Sequence, residues 1–253
     1  MNISFVIKFA KKYIILRHVI VNEMYYQHEE KFILAVDGII LGFKNKELFI
    51  LITKRRFEPL KGRRSLMGGF VHPEESIDET AKRMINEYTG LKNIHIEQVG
   101  AYGEITRDIG SRVISIAYYA LINIEQFDDK LNSEKGSEWV NINEVGQLVF
   151  DHNQMLKDTI NILRKRAATR PVGFNLLPQK FTLPQLQSLY EAIYQTDIDK
   201  RNFRKRIQQM NILEKLDEKD KSNSKKGAFY YTFNKKKYDQ LLEQGYSPLF
   251  FWN

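Results

Sequence analysis

Residues 32–43 (FILAVDGIILGF) are an apolar run of strand length. Asn45 and Lys46 make a turn, and residues 48–53 (LFILIT) return as the antiparallel partner. A glycine pair, Gly68-Gly69, opens a polar loop that leads to Ser76-x-x-Glu79 ahead of an apolar-periodic run ending at Gly90. That arrangement predicts a loop feeding a helix. The serine hydroxyl and the glutamate carboxylate can each satisfy a free amide of the first turn, and the glycine stops the helix in the left-handed region. Residues 94–102 and 112–123 read as strands, the second strongly β-branched and aromatic. Residues 139–145 turn the chain toward a further helix that begins near Asp151. Hairpin, helix, strands and helix in this order predict an α/β sandwich with a mixed sheet, not a doubly wound parallel one.

Beyond this the pattern changes. The helix at 153–168 ends in Arg164, Lys165, Arg166 and Arg170, and Pro171, Gly173 and Pro178 then mark a linker. Residues 182–194 (TLPQLQSLYEAIY) carry an N-cap threonine, a proline in the first turn and apolar side chains at helical spacing, as a buried support helix would. After a break at 195–198, residues 199–210 place Phe203, Ile207 and Met210 on one stripe. Arg201, Asn202, Arg204, Lys205 and Gln208 are left on the opposite face. A strand at 212–216, a basic tip at 217–227 carrying Lys225 and Lys226, and a return strand at 228–233 complete the outline of a winged helix-turn-helix. Arginine and lysine suit phosphates or guanine, and asparagine and glutamine suit adenine edges. The expected partner is therefore a double-stranded DNA operator.

Charge sharpens this division. The chain has 253 residues and a formal net charge of +8. Residues 24–170 carry twenty-one basic and twenty-one acidic side chains, whereas residues 171–253 carry fourteen basic against nine acidic. A neutral body with a basic C-terminal module suits a sensor joined to a polyanion binder. The expected organisation is an N-terminal extension (1–23), a sensing domain (24–170) and a DNA-binding domain (171–253). Cysteine is absent, which excludes disulfides and thiolate metal sites and accords with a cytoplasmic location. Four basic residues interrupt the apolar residues of 1–23, so that segment does not read as a membrane span, and it lacks a signal-peptide cleavage pattern. An upstream misreading of the start, with Met24 as the natural first residue, is the preferred explanation; a basic membrane-surface helix is the alternative.

The spacing Gly69, Glu75, Arg83, Ile85, Glu87, Gly90 and Leu91 resembles the Nudix box. Nudix hydrolases put glutamates at the positions that are here 84, 87 and 88, on one helix face, where they hold a divalent metal that polarises a pyrophosphate and activates water. This chain has Met84, Glu87 and Tyr88 there. A thioether is no base, and a phenol is a poor one at neutral pH. The resemblance therefore implies a Nudix fold without hydrolase chemistry, without cofactor and without catalytic residues. The rival reading is a residual hydrolase of ADP-ribose or a similar nucleoside diphosphate derivative, with Mg²⁺ or Mn²⁺ on Glu75 and Glu87.

Three further stretches, RDIGSR through SIAYY at 107–119, Trp139-Val140, and Phe150-Asp151-His152, are similar to the Nudix-related transcriptional regulators of the NrtR and AraR kind. That resemblance spans about residues 32–238. It implies a homodimer on a pseudo-palindromic operator and a small-molecule effector, either ADP-ribose or a pentose. The segments SLMGGFV, RVISIAYYALINI and GFNLLPQKFTLPQLQSLYEAIY are nearest the arabinose type, a regulator of sugar-utilisation genes. The expected effector contacts are Arg55 and Arg56 at a strand end, Glu87 on the altered helix face, and Glu104, Arg107, Asp108 and Arg112 in the loop of residues 104–112. His152, beside Asp151 at a helix start, is expected only as a capping feature.

Overall fold

The computed structural model describes residues 26, 28–92, 94–124, 136–171, 175–222 and 225–245. The expectations for residues 1–23, and Gly173 of the linker, lie outside that set. A mixed seven-stranded sheet organises the first part. Its central strand β1 (Ile33–Lys44) pairs antiparallel with β2 (Glu47–Lys54) and β4 (Met67–Phe70), and parallel with β6 (Val113–Asn123). Strands β3 (Arg64–Ser65) and β7 (Ser137–Asn141) add to β2, and β5 (Ile96–Tyr102) adds to β6. Asn45 and Lys46 both have positive φ, 52° and 67°, the geometry of the two-residue hairpin turn that the sequence predicts.

Period-two alternation assigns the faces. Ile39, Leu41, Phe43, Leu48, Ile50 and Ile52 point to one side of the sheet, and Ile40 and Leu51 to the other. Helix α1 (Ile77–Thr89) covers the second face through Ala81 and Ile85. It starts as expected: Ser76 Oγ accepts from the Glu79 N–H at 3.2 Å, and Glu79 Oε2 accepts from the Ser76 N–H at 2.8 Å. It stops at Gly90, whose φ is 74°. Helix α2 (His152–Ala167) lies on the first face and buries Met155, Leu156, Ile160 and Leu163.

The C-terminal part is a three-stranded sheet, in the order β8 (Phe181–Thr182), β10 (Ala228–Phe233), β9 (Leu213–Asp220), with helices α3 (Leu183–Tyr194) and α4 (Lys200–Gln209). Thr182 and Gln185 form the capping box of α3, and Asp199 Oδ1 caps α4 by accepting from the Asn202 N–H at 2.8 Å. Leu186, Leu189, Tyr190, Phe203 and Ile207 are fully buried. They belong to the same apolar core as the first face of the large sheet. Polar contacts tie the parts as well: Arg164 near the end of α2 donates to the Ile193 carbonyl at 2.9 Å, and Gln195 donates to Asn143 at 2.9 Å.

The wing departs from expectation. Its first strand runs to Asp220, so the tip is shorter, and Glu214, Asp217 and Glu218 share that strand with its lysines. A last helix, α5 (Lys235–Glu243), follows where no element was expected; its half-buried Tyr238 and Leu241 offer too thin an apolar stripe to stand out in the sequence.

Candidate functional site

Asp37, the lone carboxylate of the first apolar run, is buried where β1 meets β4 and β6. Ser115 on β6 donates to its Oδ2 at 2.6 Å, and Gly68 leaves no space for a Cβ beside its Oδ1. Two groups face it: Arg107 Nη2 at 3.8 Å and His152 Nε2 at 3.6 Å. His152 does not cap α2. It is 3% exposed, and its Nδ1 accepts from the Leu66 N–H at 3.1 Å, which leaves the proton of the neutral ring on Nε2, toward Asp37. Burial lowers its pKa below the usual histidine value, against the opposing pull of Asp37. Asp151 makes no side-chain cap either. Its carboxylate takes both arms of the Arg107 guanidinium, each at 2.8 Å. Burial alone would lower the Arg107 pKa, but the Asp151 bonds together with Asp37 and Asp108 outweigh it and raise it, so the guanidinium stays charged.

Over this cluster opens a cavity of about 190 Å³ lined by Arg55, Arg56, Arg107 and Asp108, with Tyr88 and Phe150 among its aromatic walls. Arg55 lies over the Phe150 ring, 4.8 Å from its centroid, and donates through Nε to the Pro59 carbonyl at 2.5 Å. Phe57 and Phe70, also on the rim, are strongly exposed at 73% and 57%. Four of the seven expected effector residues thus come together: Arg55, Arg56, Arg107 and Asp108. The other three do not line the cavity. Glu87 pairs with Arg83 at 3.3 Å; Glu104 is exposed beyond the rim; Arg112 clamps its own loop, donating to the carbonyls of Gly103 and Glu104 and lying over the Phe32 ring. Asp37, Tyr88, Phe150 and His152 were missed. Tyr88 on the altered helix face and the resembling stretch Phe150-Asp151-His152 stood out without being read as part of a cavity, and Asp37 left the signal of a carboxylate inside an apolar strand that needs a buried partner.

The box residues engage one another. Glu75 accepts from Arg83 at 2.5 and 2.9 Å, and the Arg83 bond leads the causes that hold its pKa down to about 2. Met84 is buried, its sulfur packed where a Cβ on Gly69 would otherwise stand. Among the described residues no three histidine or carboxylate side chains gather where they could hold a metal ion.

In the C-terminal part Arg201, Asn202, Arg204, Lys205 and Gln208 are all exposed on α4, as expected, above the buried Phe203 and Ile207. Lys225 and Lys226 are exposed at the wing tip.

The NUDIX domain model matches residues 31–159, and the NrtR DNA-binding winged helix domain model matches residues 173–233. The chain belongs to the NrtR-type family, a Nudix domain joined to a winged helix. It is 30% identical over 211 residues to the ADPR responsive transcriptional repressor NtrR of Acinetobacter baylyi, covering 82% of this chain and 84% of the relative. To the ADP-ribose pyrophosphatase of Methanocaldococcus jannaschii it is 36% identical over 125 residues, 49% of this chain and 70% of that enzyme. The crystal structure of Shewanella oneidensis NrtR complexed with a 27mer DNA superposes with a TM-score of 0.74 at 26% identity, covering 85% of this chain and 96% of that one. These relatives do not carry the arabinose-type assignment within the NrtR-type family. No helix among the described residues is long and apolar enough to cross a membrane.

Proposed function

We propose that this protein is an ADP-ribose-responsive transcriptional repressor, with residues 24–170 as sensor and 171–253 as DNA reader, acting as a homodimer on a two-fold operator. The observation that carries the effector is the cavity lined by Arg55, Arg56 and Arg107. A pyrophosphate needs cations and directed N–H groups, whereas a pentose needs only a few neutral hydrogen-bonding groups. Arg55 and Arg56, the guanidiniums of the lining not engaged by Asp151, favour the first over the pentose and the control of sugar genes, with the carboxylates of Asp37, Glu58 and Asp108 in the same lining. At about 190 Å³ the cavity takes part of such a ligand, and the exposed Phe57 and Phe70 on its rim offer flat faces for the remainder. The name of the Acinetobacter relative supports the same effector.

The reading as a regulator and not a hydrolase rests on the box. Both carboxylates that a divalent cation would need, Glu75 and Glu87, are taken by Arg83, and the neighbouring positions are Met84 and Tyr88. These residues do not fit a hard cation seeking several free oxygens. Thermal shift with ADP-ribose and with arabinose, alongside a turnover assay in Mg²⁺ or Mn²⁺, tests both halves. A rise in melting temperature with ADP-ribose alone, without hydrolysis, is expected. Stabilisation by arabinose alone would return the pentose, and steady turnover would return the enzyme.

A further inference from the structure

A recess that joins the two modules lies under the turn of the Nudix hairpin. It encloses about 700 Å³ and is shared by Lys44, Asn45 and Lys46 of that turn, the first turns of α3, and Lys200 and Arg204 of α4. Among the described residues Asp220 at the wing is the one acidic side chain on its wall, and its carboxylate is occupied in accepting from the Ser222 N–H at 2.9 Å. Beside Lys44, which faces Glu47 across the strands, the wall carries Lys46, Lys200 and Arg204, a cationic lining that suits phosphate.

Arg204 tells which phosphate. It borders this recess and also the outer groove of α4, which it forms with Arg201, Lys205 and Gln208, so the recess opens on the face assigned to DNA. A helix lying in the major groove has a phosphate backbone along its flank, and a cation beside the helix meets that backbone and not a base edge. The turn is held in place there. Phe43, at its root, shares one apolar core with Leu176, Leu177 and the buried face of α3.

The backbone of the turn points the same way. Lys46 has φ 67° in a two-residue turn whose second position favours glycine. A lysine there is conformationally unfavourable, and what it contributes in exchange is a cationic side chain on the wall of the recess. Lys44 faces Glu47 across the two strands, so Lys46 is the stronger candidate.

We propose that the hairpin turn of the Nudix domain, through Lys46, contacts the DNA phosphate backbone beside α4, so that the sensor domain forms part of the DNA interface. The inference rests on the reading of α4 as the DNA-reading helix. It has a functional consequence: an effector that shifts the Nudix sheet by a small amount moves a DNA contact directly.

Lys46→Gly in the full chain tests this, because it removes the charge and relieves the backbone. Its melting temperature should equal or exceed that of the parent. Binding should be measured by fluorescence anisotropy across a salt series, on a duplex selected by the protein and on a scrambled one. The slope of log affinity against log salt should become shallower by about 0.9, with a loss of about 8-fold near 0.1 M salt on both duplexes alike. Unchanged affinity and slope, with Arg204→Ala still weakening binding, would overturn the inference alone. If neither variant changed binding, the assignment of α4 would fall with it. If inorganic pyrophosphate raised the melting temperature of the parent but not of the glycine variant, while the DNA slope stayed the same, the recess would be a free-anion site and the proposal would be wrong.

Discussion

The two charged regions of this molecule are built in opposite ways. Under the arginine-lined cavity, Asp37, Arg107 and His152 are withdrawn from water and, with the half-buried Asp151, satisfied by one another. On α4, the charges stand in solvent on a helix whose other face is fully buried. In the first region, removing one member leaves the rest uncompensated, so function and stability are inseparable; in the second, a side chain can be lost without disturbing the fold.

The sharpest test of that contrast is Arg107→Ala. It strands two carboxylates beneath the cavity, and breaking a buried pair in this manner costs about 3 to 5 kcal/mol. The melting temperature should fall on the order of 10 °C. A variant as stable as the parent would mean that the cluster is wetter and looser than the geometry shows.

On the exposed side, Asn202→Ala should leave thermal stability unchanged and weaken the selected duplex by about 1 to 3 kcal/mol, relaxing preference at one operator position. Lys225→Ala should weaken selected and scrambled duplexes equally and reduce the salt dependence by about one unit of slope. An asparagine has no charge to neutralise, so identical losses for the two variants on both duplexes would remove α4 from the role of base reader.

The contrast also explains what the sequence disclosed. The exposed face of α4 follows from helical spacing alone, because Phe203, Ile207 and Met210 define the inward stripe and Arg201, Asn202, Arg204, Lys205 and Gln208 fall away from it. The two capping boxes and the Asn45-Lys46 turn are local in the same sense. The cavity is not local. Its floor joins β1, the loop before β6 and the first residue of α2, and the bond from the Leu66 N–H to His152 spans 86 residues. An Asp-His pair at a helix start looks like capping until the sheet brings Asp37 and Arg107 to it. Glu87 and Arg112 misled because a charge near a motif is indistinguishable in sequence from a charge turned to Arg83 or to its own loop.

A smaller effect separates the regions by pH. Burial holds the folded-state pKa of His152 below its ordinary value of 6.5, so the unfolded chain binds more protons as pH falls past that value. The stability contributed by neutral His152 is complete above about pH 6.5. It declines as the pH falls toward the folded-state pKa, by up to about 1.4 kcal/mol per pH unit. His152→Gln, which keeps an acceptor for the Leu66 N–H, should flatten the dependence of melting temperature on pH in that window. Identical profiles for parent and variant would show that His152 titrates as an ordinary histidine.

The central claim is that one ligand at the arginine-lined cavity governs DNA binding at α4. It is tested most directly by titrating ADP-ribose into the preformed complex of the full chain with a fluorescent selected duplex, while following anisotropy. Anisotropy should fall toward the value of free DNA, with arabinose inert, and ADP-ribose binding should weaken by the same factor when DNA is present. DNA that stays bound at ADP-ribose concentrations that saturate the thermal shift would contradict it.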